Sequence, residues 1–167
     1  MENIDWTHFE LRIRINKPLD TVFKAWVVPA ELVNWFLESA DYYQGESKWD
    51  KDTPIQEQLT YKWKWHNWES VHEGSVLNMN GRDQLSFEFG HGMEVHVNLI
   101  STTPNSTEIV LRQEQIPVDE KSKLNFYVGC SNGWGFWLVN LKAWLEHGVT
   151  LNAKGLKQSQ TKNLVNS

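Results

Sequence analysis

Six histidines, one cysteine and three closely spaced glycines are the residues of this 167-residue chain that invite a chemical reading. The histidines, at positions 8, 66, 72, 91, 96 and 147, show no HExxH pattern and no pair spaced to share one face of a helix. His91 and His96 fall five apart on a hairpin, so surface or turn histidines are expected and no metal ligand is nominated. Cys130 lies on the inward stripe of a C-terminal helix, where a small core residue is expected rather than a nucleophile, and a lone cysteine allows no internal disulfide. Gly129, Gly133 and Gly135 are too close together inside that helix to form a phosphate loop. Each glycine costs a helix about 1 kcal/mol, so three in one half point either to close approach of a neighbouring layer or to a bend that widens the space beneath. Gln113 and Gln115 share the phase of Ile109 and Leu111. They are either buried, and then need partners, a ligand or water, or they lie past the cover and are wet. No catalytic residue and no cofactor site emerges from this inventory.

Aromatic residues are the stronger signal. Ten tryptophans in 167 residues is an outlier, and each can bury ~150–250 Å², worth ~4–6 kcal/mol as an upper estimate. Rings of that size must line a core, a pocket or an interface. Trp63, Trp65, Phe87 and Phe89 alternate on candidate strands, Trp26 and Trp35 sit on two short helices, and Trp134 and Trp137 lie on the C-terminal helix. They either fill a core or leave a gap suited to a flat apolar guest.

The elements that would position these rings follow from periodicity. Phe9, Leu11, Ile13 and Ile15 alternate with polar residues, the period of a strand with one wet face. Pro18 and Asp20 mark the start of a short helix that must end before Pro29, and Pro29 opens a second one over PAELVNWF. Strands are then expected at Asp41–Lys48, Gln56–Trp65, His72–Met79, Arg82–Phe89, Met93–Ser101 and Thr107–Ile116, with Asn80-Gly81 as a type I′ hairpin turn. From Leu124 to His147, Tyr127, Cys130, Trp134, Leu138, Leu141 and Leu145 recur at helical spacing. At ~1.5 Å per residue that helix is roughly 36 Å long, and its apolar stripe must lie across the sheet. Gly148 and His147 supply a stop. On its other side Phe136 and Val139, with Trp49 and Trp68 in loops, are enough exposed apolar surface to suggest a partner or a homodimer.

Composition narrows the classes. A net charge of −5 argues against a nucleic-acid partner, and no run of ~18 apolar residues exists to span a membrane. The first twenty residues lack the apolar block of a signal peptide, so a cytoplasmic location is expected. One domain over residues 1–148 is expected, followed by a polar, mobile or loosely packed tail over 149–167.

The order of strand, two short helices, antiparallel strands and one long helix, together with several short motifs, resembles a known family. The motifs are Ile15-Asn-Lys-Pro18 with Val22 and Ala25-Trp26, Pro29-Ala-Glu-Leu32 through Trp35, Glu73-Gly-Ser-Val-Leu77, Thr107 to Glu114, and Gly133-Trp134 with Leu138, Leu141, Leu145 and Gly148. They are similar to the START-like (SRPBCC, birch-pollen-allergen-like) superfamily, and within it to the activator of heat-shock-protein-90 ATPase homologue group. The resemblance spans about residues 8–148 and implies an α+β helix-grip fold, with a curved antiparallel sheet of six to seven strands around the long helix. It also implies an apolar cavity between sheet and helix, of the kind relatives use for lipids, hormones or polyketides. On the strand and short-helix side that cavity would be lined by Trp26, Trp35, Trp63, Trp65, Phe87 and Phe89. On the last strand and long helix it would be lined by Leu111, Gln113, Tyr127, Trp134, Trp137 and Leu138. The expected function is binding of a small hydrophobic or aromatic molecule, more in keeping with a binding protein than an enzyme. The alternatives are a chaperone-associated interaction module, and an enzyme of the cyclase or dehydratase kind, which would need an acid or base inside the cavity.

Overall fold

Alternation of apolar and charged residues makes Phe9–Ile15 the first strand, β1, in which Phe9 and Ile15 are buried while Glu10, Arg12 and Arg14 face water. The computed structural model describes residues 4–167, so residues 1–3 of the expected domain lie outside the described ones. After β1 the chain turns at Pro18 into helix α1 (Leu19–Val27) and, through an extended Val28, into α2 (Pro29–Trp35). Val28 is extended because the ring of a following proline clashes with a helical predecessor. Pro29 takes the first helical position, where its missing N–H costs nothing.

The strands that follow are β2 (Ser39–Gln44), β3 (Ser47–Lys48), β4 (Thr60–Lys64), β5 (His72–Met79), β6 (Gln84–Glu88), β7 (Glu94–Thr103) and β8 (Ser106–Glu114). Among the described residues they form one antiparallel sheet in the order β1-β8-β7-β6-β5-β4-β2-β3, open at β1 and β3. The count reaches eight because 41–48 is a hairpin, reversed at Gly45 with φ +59°. β4 starts later than its apolar pattern suggested, since Gln58 takes φ +67° and donates its N–H to Val76 O at 2.9 Å instead of continuing a ladder. The Asn80-Gly81 turn differs from a type I′ turn. Gly81 alone has positive φ, while Asn80 Oδ1 accepts from the N–H groups of Arg82, Asp83 and Gln84, each at 3.0 Å. The Asn80 side chain thereby organises a wider loop than a two-residue turn.

A continuous helical rod over 120–147 crosses the concave face. It begins four residues before the expected start at Leu124, as α3 (Glu120–Ser122), because Asp119 caps it by accepting from Ser122 N at 3.1 Å. A π-helical stretch (Lys123–Val128) follows, and then α4 (Gly129–His147), which stops at Gly148 with φ +68°. Lys142 Nζ donates to Arg14 O at 2.8 Å and Asn16 N–H donates to Glu146 Oε1 at 2.7 Å, so the far end of α4 is fastened to the end of β1. Lys142 Nζ also donates to Glu146 Oε1, and the Asn16 amide first and then Lys142 hold the Glu146 carboxyl below its ordinary pKa.

One glycine is fixed by packing. Gly74 on β5 faces Tyr61 on β4, and a Cβ there would sit 2.5 Å from the Tyr61 hydroxyl and 2.6 Å from its ring carbon. The tyrosine crosses over Gly74 so that its hydroxyl can donate to Glu88 O. Gly74→Ala is therefore expected to cost about 1–3 kcal/mol, because the stacked Tyr61 ring cannot yield without breaking that bond, and urea unfolding reads the loss.

Candidate functional site

The concave face and α4 do not close on each other everywhere. Between them lies a cavity of about 440 Å³, within the range of small-molecule sites. Its floor is built at the end of α2, where Phe36 is buried, and just past β4, where Trp65 stands. Phe89, after β6, and His72, at the head of β5, form one wall, and Trp134 and Trp137 of α4 form the opposite one. Trp68, Ser70, Val71 and Ser167 make the rim, with Trp68 and Val71 exposed.

Phe36 is the hub of this constellation. It stacks on Trp134 at 5.3 Å and meets Trp65 and Trp137 edge-on at 5.5 and 5.4 Å. Phe89 meets Trp134 at 5.2 Å and His72 at 5.0 Å. Edge-to-face contacts of this kind fix ring orientations better than aliphatic packing does.

The helix side is bare where the glycines sit. Gly129 and Gly133 line the cavity, and a Cβ on Gly133 or Gly135 would meet nothing within 4 Å. Close approach to the sheet therefore does not explain them. Gly129 and Gly133 leave that part of the wall without side chains, just after the π-helical stretch. That wider winding also moves Tyr127. An extra residue per turn rotates everything before it out of the later stripe, so Tyr127 packs on Trp6 at 4.9 Å and Phe9 at 5.7 Å, away from the cavity.

The structure thus sorts the expected lining residues into two groups. Trp65, Phe89, Trp134 and Trp137 line the cavity. Trp26, Trp63 and Phe87 border only a void of about 10 Å³, while Trp35, Leu111 and Leu138 are packed in the core. Trp26 and Trp35 meet edge to face at 4.9 Å, and Trp35 Nε1 donates to Ala25 O at 3.0 Å, so both rings are consumed by packing.

The two glutamines part company. Gln113 is fully buried, its Oε1 accepting from Trp134 Nε1 at 3.1 Å and its Nε2 donating to Met93 S at 3.2 Å. Gln115 takes φ +59°, which ends β8, and its exposed side chain donates to Glu94 Oε1 at 2.8 Å.

Two cavity residues and one buried asparagine escape the sequence patterns. Phe36 ends α2 and reads as one more core ring. His72 is no solvated turn residue. Alternation back from buried Val76 through Gly74 would have placed it on the apolar face. Burial, with His91 as a lesser cause, pushes its pKa down, so the imidazole is neutral near pH 7. Burial likewise pushes the Cys130 thiol up, partly offset by a hydrogen bond with Gln113, which keeps it protonated in the wall. Asn140 left no signal at all. It is fully buried on α4, donating to Trp35 O at 2.5 Å and accepting from Leu151 N at 2.6 Å.

Asn140 begins a set of bonds that hold 149–167 against the body. Asn67 Nδ2 donates to Ala153 O at 2.8 Å, Leu156 N donates to Asn67 Oδ1 at 2.9 Å, and Ala153 N donates to Asn166 O at 2.7 Å. This is how Ser167 comes to the cavity rim. Among the described residues, no three His, Cys, Asp or Glu side chains are grouped to hold a metal ion.

A family profile described as "Activator of Hsp90 ATPase homolog 1-like protein" matches residues 16–146. The chain belongs to this family. No curated protein matches it. Among solved structures, SSP2350 from Staphylococcus saprophyticus superposes with a TM-score of 0.68 at 20% identity, covering 87% of this chain and 96% of that one. NE0264 from Nitrosomonas europaea gives 0.68 at 15% identity over 87% and 98% of the two chains. The Aha1 dimer from Colwellia psychrerythraea gives 0.63 at 17% identity over 84% and 97%. At such identities the likeness is one of fold, and the helix-grip architecture of this Aha1-like member is shared by all three. No helix among the described residues is long and apolar enough to cross a membrane.

The bond between Gln113 and Trp134 ties the sheet to the helix at the cavity's edge. Gln113→Leu keeps the volume but strands the indole N–H in the core. It is expected to cost about 1–3 kcal/mol in urea unfolding, against under about 1.5 kcal/mol for a volume-conserving apolar exchange such as Leu111→Met.

Proposed function

We propose that this Aha1-like protein binds a small hydrophobic or aromatic molecule in the cavity between its sheet and α4. The observation that carries the reading is a void of about 440 Å³ walled by Phe36, Trp65, Phe89, Trp134 and Trp137, with glycines in place of side chains on the helix. A mostly apolar cleft of this size, beside a core otherwise packed with large rings, favours an apolar guest. Gly133 provides the test. Gly133→Ala is expected to stabilise the helix by about 0.5–1 kcal/mol without disturbing the cavity, since its methyl meets open space. Gly133→Phe is expected to fill the cavity and abolish the quenching of tryptophan fluorescence by planar aromatic compounds. Equal quenching in wild type and Gly133→Phe would remove the proposal.

A second reading, self-association or docking on a protein partner such as a chaperone, draws on a different surface. Leu124, Val128 and Val139 are exposed on the rod and Val165 on the tail, and the Colwellia relative is a dimer. Sedimentation equilibrium is expected to show a concentration-dependent dimer that Val128→Lys with Val139→Lys dissociates. A wild-type monomer at every concentration would leave only a heterologous partner. A third reading, an enzyme of the cyclase or dehydratase kind, would have His72 as its base.

A further inference from the structure

The mouth of the cavity is held from outside by the segment that follows α4. Its rim residues Trp68, Ser70 and Val71 belong to the 65–71 loop between β4 and β5. Among the described residues, 66–71 make one hydrogen bond back to Trp65, from Trp68 N–H to Trp65 O at 3.4 Å, and two outward ones through the Asn67 side chain. Both outward bonds run to 149–167: Asn67 Nδ2 donates to Ala153 O and Asn67 Oδ1 accepts from Leu156 N–H. Asn67 takes φ +68°, a left-handed conformation that asparagine tolerates and most residues do not. One amide side chain therefore provides the polar attachment of the rim loop.

The segment that holds the loop is a strap and not a packed element. It starts from α4, where Leu151 N–H donates to Asn140 Oδ1 at 2.6 Å. Asn166 pins it on itself, donating from Nδ2 to Leu151 O at 2.9 Å and accepting at its backbone O from Ala153 N–H at 2.7 Å. It thus bridges the helix on one side of the cavity to the loop on the other. Thr161 is its only buried residue. A cleft of about 570 Å³ with Glu38, Lys64 and Lys157 on its walls lies between strap and body near the loop, and a groove of about 560 Å³ lies between Leu164 and Val165 and the Gly133 and Phe136 side of α4. A segment fastened by a few polar bonds, with little buried apolar surface, opens far more readily than the whole fold.

Resting on the ligand-binding reading above, we propose that residues 149–167 are a releasable strap that closes the cavity mouth, and that Asn67 is its latch. With both Asn67 bonds made, the loop carrying Trp68, Ser70 and Val71 is fixed and the guest exchanges slowly. When they break, strap and loop loosen together and the mouth opens. Asn67 is not among the lining residues, so the latch governs access and leaves affinity alone.

Stopped-flow fluorescence of 1-aminoanthracene, an uncharged planar probe, tests this on the full chain, the signal read being the part that Gly133→Phe abolishes. Asn67→Gly accepts the left-handed backbone and removes both bonds, whereas Asn166→Ala removes one pin of the strap from a position outside loop and cavity lining. Association and dissociation are expected to quicken together, about tenfold in Asn67→Gly and about threefold in Asn166→Ala, with Kd unchanged. Either variant suffices should the other fail to fold. Hydrogen exchange at the Leu151 and Ala153 amides, whose acceptors are Asn140 and Asn166, is expected to accelerate in Asn67→Gly because the strap opens as a unit. Bound probe with unchanged rates, dissociation quickened alone, or unmoved Leu151 and Ala153 amides overturns the latch while cavity binding stands. A wild-type protein that takes up no probe at the site blocked by Gly133→Phe overturns cavity binding, and the latch with it.

Discussion

One indole decides how far apart the two layers of this protein stand. Trp134 enters the core from α4, stacks on Phe36, leans on Phe89 and Trp26, and donates its N–H to Gln113 on β8. A flat ring between helix and sheet keeps a separation that aliphatic side chains would let collapse, and the hydrogen bond fixes where along the sheet the helix sits. Both halves of the bond are buried, so the register is protected by the cost of leaving a polar group unpaired. The cavity exists beside this pillar because the helix there offers glycines.

The helix is prepared for that role by its own irregularity. A π-helical stretch just before Gly129 turns Phe126 and Tyr127 toward His91, Trp6 and Phe9, at one end of the molecule, while Trp134, Trp137, Leu138 and Leu141 face the core. The far end is held by Lys142 and Glu146 against β1, and the middle by Asn140 against α2 and the following segment. Such winding defects survive where tertiary contacts over-determine the chain. Here those contacts flank the cavity on both sides, so its shape is set by polar bonds at a distance from its apolar wall.

Much of this architecture was legible in the sequence. A sheet covered on one face must alternate, so β1, β7 and β8 stand out at period two, and a helix covering it must show a stripe and a stop, which Trp134 to Gly148 provide. The hairpin within 41–48 and the late start of β4 were hidden, because Gly45 and Gln58 set them by backbone conformation, to which hydrophobic pattern is blind. The sequence by itself determined that the aromatic residues would be buried between two layers, because so much ring surface has no stable place in water. Only the tertiary structure decided which rings face a void and which are packed, sending Trp65 and Trp137 to a cavity wall and Trp26 and Trp35 into contact with each other. The physical reason is that burial depends on a residue's own character, whereas the emptiness beside it depends on what every neighbouring layer fails to fill.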